Sequence, residues 1–171
     1  RLYTRQFRET TNLQALFVID VSRSMDFAAK FQMAQAVAAV LGTLVLDQGD
    51  AAGVLAVDDR AHLVPPRSGH HHLRLFLAQV AALKPVGAAG VHEALRRAAT
   101  VLKRRGLVVV ISDFYEEVST LAEVRRLSRM GHDVVVIHTI SRDELGLGVE
   151  GAAEVVDLES GRTLVVQPET V

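Results

Sequence analysis

The sequence predicts an α/β fold, a doubly wound and mostly parallel β-sheet flanked by helices on both faces, with an antiparallel edge strand. Three observations predict it. Short, largely apolar runs at Leu13–Val21, Ala52–Val57, Leu107–Ile111 and Asp133–Ile140 alternate with segments of helical periodicity. The first three runs are apolar almost without a break, as expected for strands covered on both faces rather than one. Two of them stop on a carboxylate, Asp20 and Asp113, and in open α/β sheets ligands sit beyond the carboxyl ends of the strands.

Leu2–Glu9 alternates apolar and charged residues and reads as a half-exposed strand at a sheet edge. After Thr10–Asn12 comes the buried strand Leu13–Val21. A helix is expected over Ala28–Leu46. Phe27, Phe31, Ala34, Ala38, Leu41 and Val45 fall at helical spacing, and Met33, Val37, Val40 and Leu44 widen the stripe, so most of the helix should be covered. Gly49 breaks it. Ala52–Val57 is the next buried strand, Asp58-Asp59 a hairpin turn, and Ala61–Val64 a short partner stopped by Pro65-Pro66. Leu73, Phe76, Leu77, Val80 and Leu83 mark an amphipathic helix closed by Lys84-Pro85. The loop Val86–Gly90 leads to another helix through about Arg104, for which Gly106 is the expected C-cap. Leu107–Ile111 is a strand, Val118–Met130 a helix ended by Gly131, and Asp133–Ile140 a strand. Val155–Leu158 and Thr163–Gln167 form a terminal hairpin.

With 171 residues, 49% apolar and 23% charged, the chain fits one globular domain with a full core. A net charge of −1 supplies no field for nucleic acid or anionic lipid. The absence of cysteine excludes disulfides, thiolate nucleophiles and Cys-ligated zinc, and suits a cytoplasmic location. No apolar run reaches the roughly 18 residues of a membrane span, so no direct membrane contact is expected of this stretch. The start at Arg1 suggests a domain excised from a longer protein, which could itself be membrane-anchored.

If the strands ending in Asp20 and Asp113 are neighbours, their carboxylates meet at one edge with the hydroxyls of Ser22 and Ser24 between them. Four hard oxygen groups in a small cleft suit Mg²⁺. Neutral hydroxyls would leave the ion's charge incompletely compensated, so it would seek an acidic side chain from a partner. The plain alternative is that Asp20 ends a strand, the serines start a helix and Asp113 caps the next one.

Asp20-Val21-Ser22-Arg23-Ser24, after a buried strand and before Met25, resembles the D-x-S-x-S motif of von Willebrand factor type A (vWA) domains, which forms their metal-ion-dependent adhesion site. Asp113 in Val110-Ile111-Ser112-Asp113-Phe114 matches the second acidic position. LYTRQFRE, GLVVVISDF, Gly131-His132-Asp133-Val134 and GAAEVVDLESGRTLVV together resemble the uncharacterised bacterial vWA-like family encoded beside MoxR-type AAA+ ATPases. The resemblance implies a single vWA-like domain over residues 1–171. It also implies a metal site of Asp20, Ser22, Ser24 and Asp113 for Mg²⁺, and a non-catalytic module that engages a MoxR-type AAA+ ATPase, or a client protein, during assembly or maturation of other proteins. Two departures stand out. The Thr that vWA sites take from the loop before the third helix is replaced by Ala89, which makes the site degenerate, and Ser141-Arg142 stands where the family has Asp-Pro, with Glu144 retained.

Two other readings compete. One is a metal-free scaffold that keeps the fold and binds by shape alone. The other is phosphoryl transfer with Asp20 as nucleophile, against which Ser22 stands where such enzymes carry a second Asp. No Gly-x-Ser-x-Gly or P-loop lysine motif is present. His70-His71-His72 are expected at a helix start after an exposed turn at Gly69, where adjacent histidines do not converge on one ion. His92, His132 and His138 read as surface or structural residues. Arg96-Arg97, Lys103–Arg105 and Arg125-Arg126 are expected on solvated helix faces, and Glu116 and Glu117 as first-turn acids favoured by the helix dipole.

Overall fold

The computed structural model describes residues 13–86, 91–115, 117–145, 153–156 and 163–166. Its elements are β1 (Gln14–Ile19), a 3-10 segment (Arg23–Ala29), α1 (Lys30–Asp47), β2 (Ala51–Val57), β3 (Ala61–Arg67), α2 (His70–Ala82), α3 (Val91–Val101), β4 (Leu107–Ser112), α4 (Glu117–Arg129), β5 (Asp133–His138), α5 (Arg142–Leu145), β6 (Ala153–Val156) and β7 (Thr163–Val166). The main sheet has the order β3-β2-β1-β4-β5. All its pairings are parallel except β2 with β3. The mixed, mostly parallel sheet expected from the sequence is therefore present, and its antiparallel edge is β3. Leu2–Glu9 lies outside the described residues.

β1 is central because both of its faces are apolar. Ala15, Phe17 and Ile19 pack with Phe31, Ala34 and Ala38 of α1 and with Phe76 and Val80 of α2. Leu16 and Val18 pack on the other side with Val91, Leu95 and Ala98 of α3 and Leu127 of α4. The two-residue period of a strand sends alternate side chains to opposite layers. An unbroken apolar run is what burial on both sides requires.

The structure corrects several local expectations. β3 runs through Pro65-Pro66 instead of stopping before them. It can do so because it is an edge strand with a register shift opposite Ala52/Val54, where Gly53 lets the chain pass close; a Cβ there would lie 2.5 Å from the Val64 carbonyl. α3 ends at Val101, and Gly106 is not its cap but the point where β4 passes β1, since a Cβ there would lie 2.5 Å from the Gln14 carbonyl. β7 and β6 form the expected terminal hairpin, shifted towards the N-terminus on its first strand, with Ala153 opposite Val166.

The wide stripe of α1 is only partly buried. Met33, Val40 and Leu44 are exposed, because α1 covers the sheet with one face and α2 with another. The stretch Arg23–Asp47 is long and apolar enough to cross a membrane by length and composition, which corrects the expectation that no run reaches that length. In this structure α1 is a core helix whose Phe31, Ala34, Ala38 and Leu46 lie in the interior.

α1 and α2 meet at Gly42, where a Cβ would fall 2.3 Å from the Phe76 ring; that ring is fully buried and stacks edge-on against Phe17 at 5.5 Å. Gly42→Ala would gain about 1 kcal/mol of helix propensity and lose about 1–3 kcal/mol to overpacking. The expected outcome is a net loss of about 1 kcal/mol, read as a lower urea midpoint with an unchanged m-value.

Candidate functional site at the strand tips

Parallel pairing of β1 with β4, Ile19 opposite Ile111, brings the two acid-ended strands side by side. The Asp20 amide donates to the Ile111 carbonyl (2.9 Å), so the ladder continues one residue past β1 and fixes where Asp20 leaves the sheet beside the end of β4. Asp20, Ser22, Ser24 and Asp113 are all buried there. The four sequence-predicted residues thus share one end of the sheet.

Their bonding is specific. The Ser22 amide donates to Asp20 Oδ1 (2.9 Å), and the hydroxyl of Ser112 donates to Asp20 Oδ2 (2.5 Å). Ser22 Oγ and Ser24 Oγ lie 3.1 Å apart and share a hydrogen bond. Burial pushes the Asp20 carboxyl up from its ordinary value, opposed by the bonds from Ser112 and Ser22. Each Asp20 oxygen thus accepts a hydrogen bond within the protein, and the side chain is buried.

Asp113 is held by a residue the sequence analysis did not single out. Lys30, the first residue of α1, is 3% exposed. Its Nζ lies 2.8 Å from Asp113 Oδ2 and 2.5 Å from Glu144 Oε1. Glu144 is held from its other side, where Oε2 accepts the Ser141 amide (2.7 Å). The aromatic rings of Phe27 and Tyr115 stand 5.9 and 5.3 Å from the same ammonium. Burial would lower the Lys30 pKa, but the bonds to Asp113 and Glu144 outweigh it and raise it. Burial likewise pulls Glu144 up, and Lys30 and the Ser141 amide bring it below its ordinary value.

The backbone around the cluster is strained. Ala28, Ala29 and Phe114, with φ of 48°, 63° and 56°, are the positive-φ non-glycine residues among those described, and all three flank this tip. Each left-handed residue costs about 1–2 kcal/mol, and such strain concentrates where a site must be held in one arrangement. The two alanines turn the 3-10 segment into α1 and deliver Lys30 inward. His138 Nε2 bonds the Asp113 carbonyl (3.0 Å), so that histidine is structural; so is His72, bonded to the Ala52 carbonyl (2.7 Å).

The implied Mg²⁺ can be tested against these donors. Octahedral Mg²⁺ with ligands at about 2.0–2.1 Å places adjacent oxygens about 3 Å apart, and the Ser22–Ser24 hydroxyl pair, at 3.1 Å, fits. The carboxylates already have partners within the protein, which a metal ion would have to share or displace. Asp20 uses both oxygens within the protein, and Asp113 spends its charge on Lys30. Ala89 lies outside the described residues.

Residues 1–170 match the family described as "Protein of unknown function DUF58". The chain belongs to that DUF58 family. Uncharacterized proteins of Mycobacterium bovis and Mycobacterium tuberculosis are each 30% identical to it over 168 residues, which cover 93% of this chain and 52% of theirs. This DUF58 chain therefore spans about half the length of the curated relatives it matches. In fold it is similar to the conserved hypothetical protein BatB from Bacteroides thetaiotaomicron, with TM-score 0.62 and 16% identity over 91% of this chain and 80% of that one. It is also similar to a von Willebrand factor type A protein from Catenulispora acidiphila, with TM-score 0.55 and 20% identity over 74% and 32% of the two chains. The DUF58 fold here is vWA-like.

The opposed pKa directions give a pH signature. A carboxyl held below its ordinary value stabilises the fold above that value and loses the contribution as pH falls through the folded-state pKa; Asp20, raised, acts in the reverse sense. Glu144→Gln is expected to remove part of the stability lost on acidification below about pH 4.5 and to leave a shallower acid limb. Urea midpoints across the acid range check this, and an unchanged limb would mean that Glu144 is not ion-paired in solution.

Proposed function

We propose that this chain is a non-catalytic protein-interaction module that engages its partner with the carboxyl-terminal tip of the sheet. The observation that carries the reading is the contrast between the interior of the site and its rim. Inside, the described polar groups bond one another: Asp20 to Ser22 and Ser112, Ser22 to Ser24, and Lys30 to Asp113 and Glu144. Around them, large apolar side chains face solvent: Tyr115 is 67% exposed, Val86 60% and Phe27 40%. Beside the motif lies an open cleft of about 480 Å³ lined by Arg23, Asp26, Phe27, Pro85 and Val86. Aromatic side chains on a rigid, strained platform are the kind of group that dominates protein interfaces.

The partner we propose is the MoxR-type AAA+ ATPase that the motif resemblance implies, or a client protein handed between the two, in assembly or maturation of other proteins. Membership of DUF58 and a vWA-like fold are compatible with this and name no partner. In this reading the docking surface is the rim, and a bound divalent ion is not required for it.

The test is capture of a purified MoxR-type AAA+ ATPase by the immobilised full chain. Phe27→Ala/Tyr115→Ala is expected to weaken capture at least tenfold, the scale of a lost aromatic anchor. Capture equal to wild type would remove the tip from the interface. A screen with generic phosphoesters is expected to be blank, and turnover abolished by Asp20→Asn would replace this reading with the phosphoryl-transfer one.

A further inference from the structure

The strand-tip cluster has two features that a metal-centred reading leaves unexplained: Lys30 is buried on its Asp113 side, and the acidic residue that should serve the metal is bonded to it. We propose that the ammonium of Lys30 is the resident cation of this site, standing where vWA-like sites take a divalent ion, with Asp113 as its inner carboxylate and Glu144 as its outer one. The inference is independent of which partner docks on the rim.

Four observations carry it. First, the ammonium is 2.8 Å from Asp113 Oδ2 and 2.5 Å from Glu144 Oε1, with side-chain exposures of 2%, 3% and 15% for Lys30, Asp113 and Glu144. A buried lysine is retained only when carboxylates compensate the loss of hydration, and here two do. Second, the two pairings join distant parts of the chain, 83 and 114 residues apart in sequence, so they tie α1 to the end of β4 and to α5. Third, Lys30 is the only charged residue between Asp26 and Asp47, and one of three lysines among nineteen basic residues. A compact ammonium is the cationic side chain closest in shape to a metal ion, whereas a guanidinium is a planar fork. Fourth, the left-handed Ala28 and Ala29 spend backbone strain on bringing Lys30 inward. A divalent ion bound through Asp113 would sit beside a like charge on the same carboxylate, so the two cations compete for it.

Sequence supplies a clean readout, because the other two lysines, Lys84 and Lys103, are exposed. In a sample of the full chain with ¹⁵N-labelled lysine, exposed ammonium protons exchange with water too fast to be seen, while a buried, ion-paired ammonium is protected. The expected result is one slowly exchanging ammonium resonance, lost in Lys30→Arg, that neither shifts in millimolar Mg²⁺ nor broadens with substoichiometric Mn²⁺. Thermal unfolding of the same wild-type sample should give the same midpoint in Mg²⁺ and in EDTA. A missing ammonium resonance would overturn the proposal. So would Mn²⁺ broadening of it, or a Mg²⁺-dependent rise of several degrees that Ser22→Ala/Ser24→Ala abolishes. None of these measurements involves a partner, so their failure and a failure of the docking reading are distinguishable.

Discussion

The bridge from Lys30 to Asp113 and Glu144 is the interaction on which the arrangement of the strand tips depends. Stripping water from an ammonium and a carboxylate costs several kcal/mol per ion, and nothing apolar at that position would ask for it. The cost is offset only if the three groups meet in good geometry, as they do at 2.8 and 2.5 Å. One bridge thereby fixes the start of α1, the end of β4 and the short α5, three segments that share no strand pairing. The hydrophobic layers on either side of β1 hold the sheet together, whereas this polar knot sets the conformation of its working end.

The neighbouring features follow from that knot. Phe27 and Tyr115 flank the ammonium and are partly or largely exposed, so the group that organises the interior also positions the rim. Ser112, the last residue of β4, bonds both Asp20 and the Phe114 amide (2.9 Å), which couples the motif strand to the loop that carries Asp113. The alanine pair before α1 and Phe114 after β4 hold their left-handed backbone because these bonds over-determine it. A tip so interlocked is suited to presenting a surface of constant shape.

Much of this was legible in the sequence. The unbroken apolar runs gave the central strands, because burial on both faces leaves no polar alternation, and the acids that end them gave the site, because parallel neighbours finish at the same edge. The edge strand was harder to bound, since two prolines usually end a strand and only an edge position with Gly53 opposite tolerates them. Lys30 was missed for a different reason. Helical periodicity had placed it inside the wide apolar helix expected over Ala28–Leu46, where a lone basic residue reads as solvated. The available signal was its isolation, a single charge in an otherwise uncharged stretch from Phe27 to Leu46. Its partner Glu144 is more than a hundred residues away, and no local pattern could have paired them. The same periodicity overstated the burial of Met33, Val40 and Leu44, since spacing locates an apolar stripe but does not say how much of it a neighbour covers.

The central claim is that Lys30 and Asp113 act as one unit in the folded protein, and a double-mutant cycle measures that directly. Lys30→Met and Asp113→Asn, singly and together, would be compared by urea unfolding at neutral pH. Removing one member of a buried pair strands the other and costs about 3–5 kcal/mol, so the account predicts that the double variant recovers about 2 kcal/mol of the summed losses. Losses that add to within about 0.5 kcal/mol would contradict it, because the two side chains would then be independent.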